Sequence, residues 1–516
     1  MRNLLVIDAH SSKRLVMAGV LLAGGFCFLM LLTFAVSKES FSLPIAVIVV
    51  IWFGILAVSR PAAALTVYVV LAVSTMRFQF LVLRGKSIAG GIYLSEALLA
   101  ALLLGWVMRA AARQGRERRS PFPLLLPLLG LALVPYLSVL SAYVTWDPEI
   151  PTLHRKLVVQ FAGASLIFLA AAAVMLTSGV ITKVSYAKTL VAILMAISIF
   201  SFLDVFRVLS TPGKALIFTT APLAFSFALH ARRNLHKFLW LLLLVPPFLI
   251  AIQAIKVTLL VALLVPLLFI SLGHSRRAFL RTLGALTAGY LIFGVALGHS
   301  PGLRIYEKAV MMKDFDRIPL FEKAVGTWKS HPLFGVGPGG QFAYLGGEHS
   351  YGTTHSLYGN FLMETGVVGM IFLFWTIGAA VSLGWKTYRY HFPPQPGPAD
   401  KSEQAFVRAF CLGQTGGFLG MAVAGLFSDT MLPAIQNGGM FMFGASVHLW
   451  IFLGITAAFR RMQLEGKIAP LPEGARNRSE EFLPPPFAGG RLPYPRALGS
   501  RGKSPAPAGE IMIKEK

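Results

Sequence analysis

From about Leu15 to about Phe459 the chain repeats one unit, an apolar run followed by a short polar break. Each run is close to the ~20 residues a helix needs to cross a bilayer. The runs centre near residues 25, 50, 68, 100, 133, 167, 197, 222, 246, 264, 288, 372, 416 and 448, about fourteen candidate spans. Only 13% of residues are charged against 55% hydrophobic, with a mean hydropathy of +0.68, too little charge to cover a soluble protein of this length. The pattern predicts an all-α, polytopic integral membrane protein of about 12–14 transmembrane helices. The run that begins near Leu15 is too long for a signal peptide and lacks a small-residue cleavage site, so it reads as the first span.

The net charge of +25 could suggest a nucleic-acid partner, but its placement argues otherwise. Arg109, Arg113, Arg116, Arg118 and Arg119 share one short break; Arg232, Arg233 and Lys237 share another, and Arg276, Arg277 and Arg281 a third. Such clusters mark cytoplasmic loops. With the amino terminus inside, these clusters, Lys386, Arg389 and the carboxyl terminus all fall on the cytoplasmic side. The two cysteines, Cys27 and Cys411, sit inside apolar runs and offer neither a disulfide framework nor a cysteine-based zinc site.

Four regions follow: an N-terminal transmembrane bundle (1–297), an exterior loop (298–360), C-terminal transmembrane helices (361–465) and a tail (466–516) rich in Pro, Gly, Ser and charge, expected to be a disordered cytoplasmic extension. The loop is long enough to be functional. In it, "DRIPLFEKAVGTWKS" places Phe321, Val325 and Trp328 on one helical face, with Asp316 as the N-cap and Pro319 in the first turn. The helix would lie on the outer membrane surface or pack against the spans. Next comes "HPLFGVGPGG", whose Gly335, Gly337 and Gly340 spell G-x-G-x-x-G. A dinucleotide fingerprint needs a preceding strand and a βαβ unit, and Pro338 removes an N–H that a pyrophosphate cradle would use. The glycines read instead as a tight turn.

The wider pattern is more specific. "RIPLFEKAVGTWKSHPLFGVGPGG" is followed by "THSLYGNFLMETGVVGMIFLFW". This resembles the O-antigen ligase and polysaccharide polymerase superfamily of bacterial membrane glycosyltransferases, at Arg317, Trp328, His331 through Gly339, His355, Tyr358, Glu364 and Gly366. The resemblance is dense over about residues 300–380 and topological elsewhere. It implies a GT-C-like helical fold in the bacterial inner membrane, with one large structured periplasmic loop that carries catalysis. It also implies inverting transfer of a glycan from an undecaprenyl-diphosphate carrier to an acceptor hydroxyl, foremost O-antigen ligation to lipid A-core. Polymerisation of lipid-linked repeat units uses the same chemistry and stands as the alternative; a lipid-glycan transporter is a more distant one.

That reaction needs a base for the acceptor proton and cations for the departing diphosphate. His355 is the natural base, since a neutral imidazole titrates near working pH; from residue type alone it could equally cap the following helix. Arg317 corresponds to the family's loop arginine and can grip phosphate oxygens bidentately. Arg304 is a second exterior cation, or an interface anchor. Lys256, in "IAIQAIKVTLLVALLV", stands where the family carries an arginine, and a cation in so apolar a stretch is functional by default. Tyr358 and Glu364 are supporting residues, and Glu364 would orient His355 or bond the loop. Asp314 and Asp316 spell D-x-D, near Glu348 and His349, but two carboxylates without a third acidic partner make a poor magnesium site. Metal-independent chemistry without a cofactor is expected.

Overall fold

The computed structural model describes residues 42–74, 79–82, 91–112, 122–145, 147, 157–203, 213–245, 247–248, 257–296, 317–345, 353–390, 400–428, 431–432 and 443–468. In chain order the first helices are α1 (Ser42–Ser59), α2 (Pro61–Ser74), α3 (Leu94–Ala112), α4 (Leu125–Thr145) and α5 (Leu157–Val180). Then come α6 (Val184–Leu203), α7 (Gly213–His230), α8 (Asn234–Leu242), α9 (Val257–His274) and α10 (Arg276–Ala296). The last are α11 (Arg317–Ser330), α12 (Gln341–Leu345), α13 (Leu357–Tyr388), α14 (Asp400–Ala424) and α15 (Phe443–Leu464). The all-α expectation needs one amendment. Between α2 and α3, β1 (Gln79–Val82) pairs antiparallel with β2 (Gly91–Tyr93), with Leu81 opposite Ile92. Short segments rich in β-branched and aromatic residues suit a hairpin better than another turn of helix.

Among the described residues, five helices are long and apolar enough to cross a bilayer: α3, α4, α5 from Gln160, α13, and α14 from Glu403. Four shorter apolar stretches, within α1, α2, α6 and α9, accompany them. Exposure confirms the solvent. On α4, Leu126, Leu129, Leu133, Leu137 and Leu140 are exposed along one stripe, while Leu128, Leu131 and Val134 are buried on another. Helices apolar on both faces are stable only when the outer face meets lipid. This is a multi-pass membrane protein.

Close backbone approach organises the centre. Small residues on α14 let its neighbours in: a Cβ at Gly416 or Gly420 would meet Ile270 or Pro266 of α9 within 2.6 Å. Lipid offers no hydrophobic contrast between helices, so such tight packing drives association. On the side toward α15, Phe410 meets Phe452 and Phe459 edge-on at 5.9 and 5.5 Å.

The two ends of the bundle differ in charge. At one end Arg109 of α3 donates to Val58 O (2.9 Å) and Ser59 O (2.6 Å), at the carboxyl terminus of α1. At the same end Arg461 donates to Ile181 O just beyond α5, at 2.6 Å. Cations there meet the negative ends of helix dipoles. Lys183, Lys188, Arg232, Arg233, Lys237, Arg276, Arg277, Lys386, Arg389, Arg408 and Arg460 also belong to this end, through their places on α6–α10 and α13–α15. The other end gathers the carboxyl terminus of α4, the amino-terminal part of α5, the chain after α14, and residues 317–345 and 353–366.

Candidate active site

The turn after α11 is built into a broken helix. His331 follows α11 directly, with its Nε2 2.8 Å from Thr145 O at the end of α4. Beyond it, Val336 N donates to Met363 O (2.9 Å) and Gly337 N to Glu364 O (3.0 Å). In an unbroken α13 those carbonyls would accept from Val367 and Val368. Instead, Val367 N donates to Pro332 O (2.9 Å) and Val368 N to Leu333 O (3.2 Å). Two helical bonds are thus replaced by four between turn and helix, so the four groups these bonds would have used at the break stay paired, as a membrane interior demands. Distant side chains complete the joint. The Ser138 hydroxyl of α4 lies between the carbonyls of Phe334 and Glu364, and its single hydrogen is shared between them. Gln160 of α5 donates to Val336 O at 3.2 Å. The Glu364 carboxylate accepts from Gly339 N at 2.8 Å.

At the break, Gly366 has φ 64° and ψ −166°. Its consequence is a fold-back. Tyr358 and Phe374 stack with ring centroids 5.4 Å apart. Sixteen residues of straight helix would separate them by about 24 Å. The arm Leu357–Thr365 therefore lies back along the arm Val367–Tyr388, and His355, just ahead of the first arm, sits well below the apex at Gly366. The Tyr358 hydroxyl donates to Ala422 O (2.6 Å), and Leu357 N to Gly425 O (2.8 Å), tying the start of this arm to the end of α14.

His355 itself is half-buried and has φ 56°, the one non-glycine residue with positive φ among the described residues. Asn360 holds its loop in that shape. Asn360 Oδ1 accepts from Thr354 N (2.9 Å) and Thr354 Oγ1 (2.8 Å), and its Nδ2 donates to Thr353 Oγ1 (2.8 Å). Thr353 Oγ1 also accepts from His355 N at 3.1 Å. The helix cap is Ser356, whose side chain accepts from Gly359 N, so the alternative reading of His355 as a cap does not hold. A left-handed non-glycine residue clamped on both sides is the kind of strain that collects at functional sites.

Asn360→Ala would remove three hydrogen bonds from this clamp. Misplacement by about 1 Å can cost about 10²-fold in rate. For the glycan transfer that the sequence resemblance implies, the expected result is a 10- to 100-fold fall in turnover with donor affinity unchanged, whereas Asn360→Asp, which keeps the Oδ1 bonds, loses less. Steady-state transfer kinetics, read beside the melting temperature of each variant, check this.

The remaining sequence-derived residues are placed as follows. Arg317 opens α11. Lys256, Arg304, Asp314, Asp316, Glu348 and His349 lie outside the described residues, as do Cys27, Arg113 to Arg119, the first expected span and the tail beyond residue 468. Glu364 bonds the turn, through Gly339. The expected amphipathic helix is α11, and it packs against the bundle: Leu320 and Ala324 are buried with Val336, Tyr344, Leu345 and Met363, while Phe321 is 47% exposed. Its buried stripe is thus displaced from the expected one, because the fold-back arm presents Met363 to the Leu320 side. Ser138, Gln160 and Asn360 escaped sequence reasoning; the first two are isolated polar residues on apolar helices, a weak signal, and Asn360 lies in a stretch that reads as ordinary helix. Among the described residues no three His, Cys, Asp or Glu side chains converge as metal ligands would.

Comparison with known families decides the reading of this region. Residues 256–374 match the family model described as O-antigen ligase. This segment is similar to an O-antigen ligase domain. The match runs from residue 256 through α9, α10, α11, the glycine turn and the His355 loop to the second arm of α13, so the joint and its fold-back lie within the matched segment. No curated protein matches the chain.

Proposed function

We propose that this protein transfers a glycan from an undecaprenyl-diphosphate carrier to an acceptor hydroxyl, most directly O-antigen to lipid A-core, without a metal ion and with inversion at the anomeric carbon. The O-antigen ligase match, which contains the His355 loop, supports this reading. The basic end faces the cytoplasm by the positive-inside rule, which puts the His355 end on the periplasmic side of the inner membrane. There His355 takes the proton of the acceptor hydroxyl as the oxygen attacks the anomeric carbon, and the carbon–oxygen bond to the diphosphate breaks. Arg317, Lys256 and Arg304 stabilise the departing lipid diphosphate. Glu364 and Tyr358 support the site by holding the turn and the first arm of α13.

Deletion of the gene, followed by analysis of surface polysaccharide, tests this reading. Loss of glycan from lipid A-core supports ligation. Loss of long chains with single repeat units still attached means polymerisation, and accumulation of carrier-linked glycan on the cytoplasmic side means transport.

Lys256 gives a sharper check on the diphosphate contact. Lys256→Ala removes a charge-assisted contact of about 1.5–3 kcal/mol, a loss of about one to two orders of magnitude in turnover or donor affinity. Lys256→Arg is expected to keep much of the activity. Lys256→Met preserves the apolar stem and is expected to insert well and transfer poorly; full activity in that variant would show a side chain that only snorkels to the interface.

A further inference from the structure

One aromatic ring beside the His355 loop is left out of the apolar packing around it. On α11, Leu320 and Ala324 are buried, at 7% and 3% exposure, whereas Phe321 is 47% exposed. Its position is nonetheless fixed. A Cβ added to Gly359 would lie 3.3 Å from Phe321 Cε2 and 2.8 Å from Thr354 Oγ1, so the ring and the Thr354 hydroxyl meet at the same patch of backbone. Thr354 directly precedes His355, and its hydroxyl donates to Asn360 Oδ1. One side of the Phe321 ring therefore rests against the His355 loop, and the rest of the ring is open.

The register between α11 and α13 sets what passes this ring. Phe321 packs on Gly359, while Leu320 and Ala324 share an apolar cluster with Met363, so α11 and the first arm of α13 run side by side in the same direction. Arg317, one turn before Phe321, and His355, four residues before Gly359, both stand at the start of that pair. The direction is outward, because α11 is followed by His331, whose ring reaches Thr145 O at the outer end of α4. Each turn of α11 climbs about 5 Å. A carrier diphosphate held at Arg317 sends its lipid tail into the bilayer and its glycan outward, past Phe321. An open aromatic ring suits a sugar there. One face of a pyranose is a set of weakly positive C–H groups and the face of a benzene ring is negative, so the two stack and shed water from both. Leucine can cover as much lipid but offers no such face.

We propose that Phe321 contacts the substrate: its open ring stacks on the first sugar of the carrier-linked glycan and holds that sugar's anomeric carbon beside the His355 loop. This rests on the reading of the protein as a glycan transferase with the diphosphate at Arg317, and it assigns to one residue the recognition of the sugar rather than of the carrier.

The test is equilibrium binding to the full-length protein in nanodiscs, with melting temperature read in parallel. The two probes are bare undecaprenyl diphosphate and undecaprenyl diphosphate bearing one N-acetylglucosamine. Phe321→Leu is expected to bind the sugar-bearing probe about 3- to 10-fold more weakly than the wild type does, and the bare probe equally well. Phe321→Met, whose flexible chain refills the contact with Gly359, guards against a local packing defect and is expected to behave as leucine does. Phe321→Tyr, which keeps the ring, is expected to bind both probes as the wild type does. Unchanged affinity of the leucine and methionine variants for the sugar-bearing probe would overturn the proposal, leaving a ring that meets only membrane lipid. Equal weakening for both probes would also overturn it, since the contact would then be with the carrier. A folded wild type that binds neither probe would instead contradict the carrier-linked reading itself.

Discussion

Replacing His355 with asparagine is expected to lower the transfer rate by roughly 10²–10⁴ while leaving the protein folded and the donor bound. Asparagine is the informative substitution because of the backbone. His355 sits at φ 56°, and asparagine is among the few residues that tolerate this region. The side chain stays polar and close in size, but an amide is no base at any working pH. The loop tied by Asn360 and Thr353 therefore survives, and any loss reports chemistry rather than folding. Alanine should lose as much activity, but it also pays the left-handed strain with no local hydrogen bond to offset it, so its melting temperature is expected to fall below that of the asparagine variant. Retention of more than about a tenth of the rate in both variants would remove His355 from the base role.

The second large effect is structural. Gly366→Ala is expected to prevent a stable fold. A Cβ there would lie 2.3 Å from Leu333 C and O, and 2.6 Å from Phe334 N, all backbone atoms that cannot step aside. The left-handed conformation adds roughly 1–2 kcal/mol for a residue with a Cβ. Forcing the joint open also endangers the four turn-to-helix hydrogen bonds, each of about 1 kcal/mol. Together these rival the ~5–15 kcal/mol that usually separates folded from unfolded protein. Fluorescence-detected size-exclusion chromatography after a temperature series reads the result. A monodisperse peak with an unchanged melting temperature would contradict the tight joint. Gly378→Ala, on the second arm with no atom within 4 Å of its added Cβ, is the control expected to behave as the wild type.

These two sites also mark the limit of what the sequence makes legible. The membrane class, the basic end and α11 are readable because each rests on composition or on local periodicity, and the glycine turn was separable from a nucleotide fingerprint by its context. The fold-back was not readable. "LYGNFLMETGVVGMIFLFW" keeps a helical apolar pattern straight across Gly366, and only the arrival of residues 332–337 from outside shows that the helix is broken. The buried stripe of α11 was equally open, since Leu320 with Ala324 and Phe321 with Val325 are both helically spaced and tertiary packing chooses between them. Ser138 and Gln160 act from helices 176 to 226 residues away in sequence, so their part in the joint has no local signature.

Glycan transfer by purified protein is the most direct measurement. The enzyme in proteoliposomes would be given an undecaprenyl-diphosphate-linked glycan and lipid A-core in the presence of a strong chelator, and the glycosylated lipid and released undecaprenyl diphosphate quantified together. Equal amounts of both products from the wild type, undiminished by the chelator and lost in His355→Asn, are the expected result. No transfer by a folded wild-type protein, or transfer abolished by the chelator and restored by magnesium or manganese, would contradict metal-independent catalysis from the His355 loop.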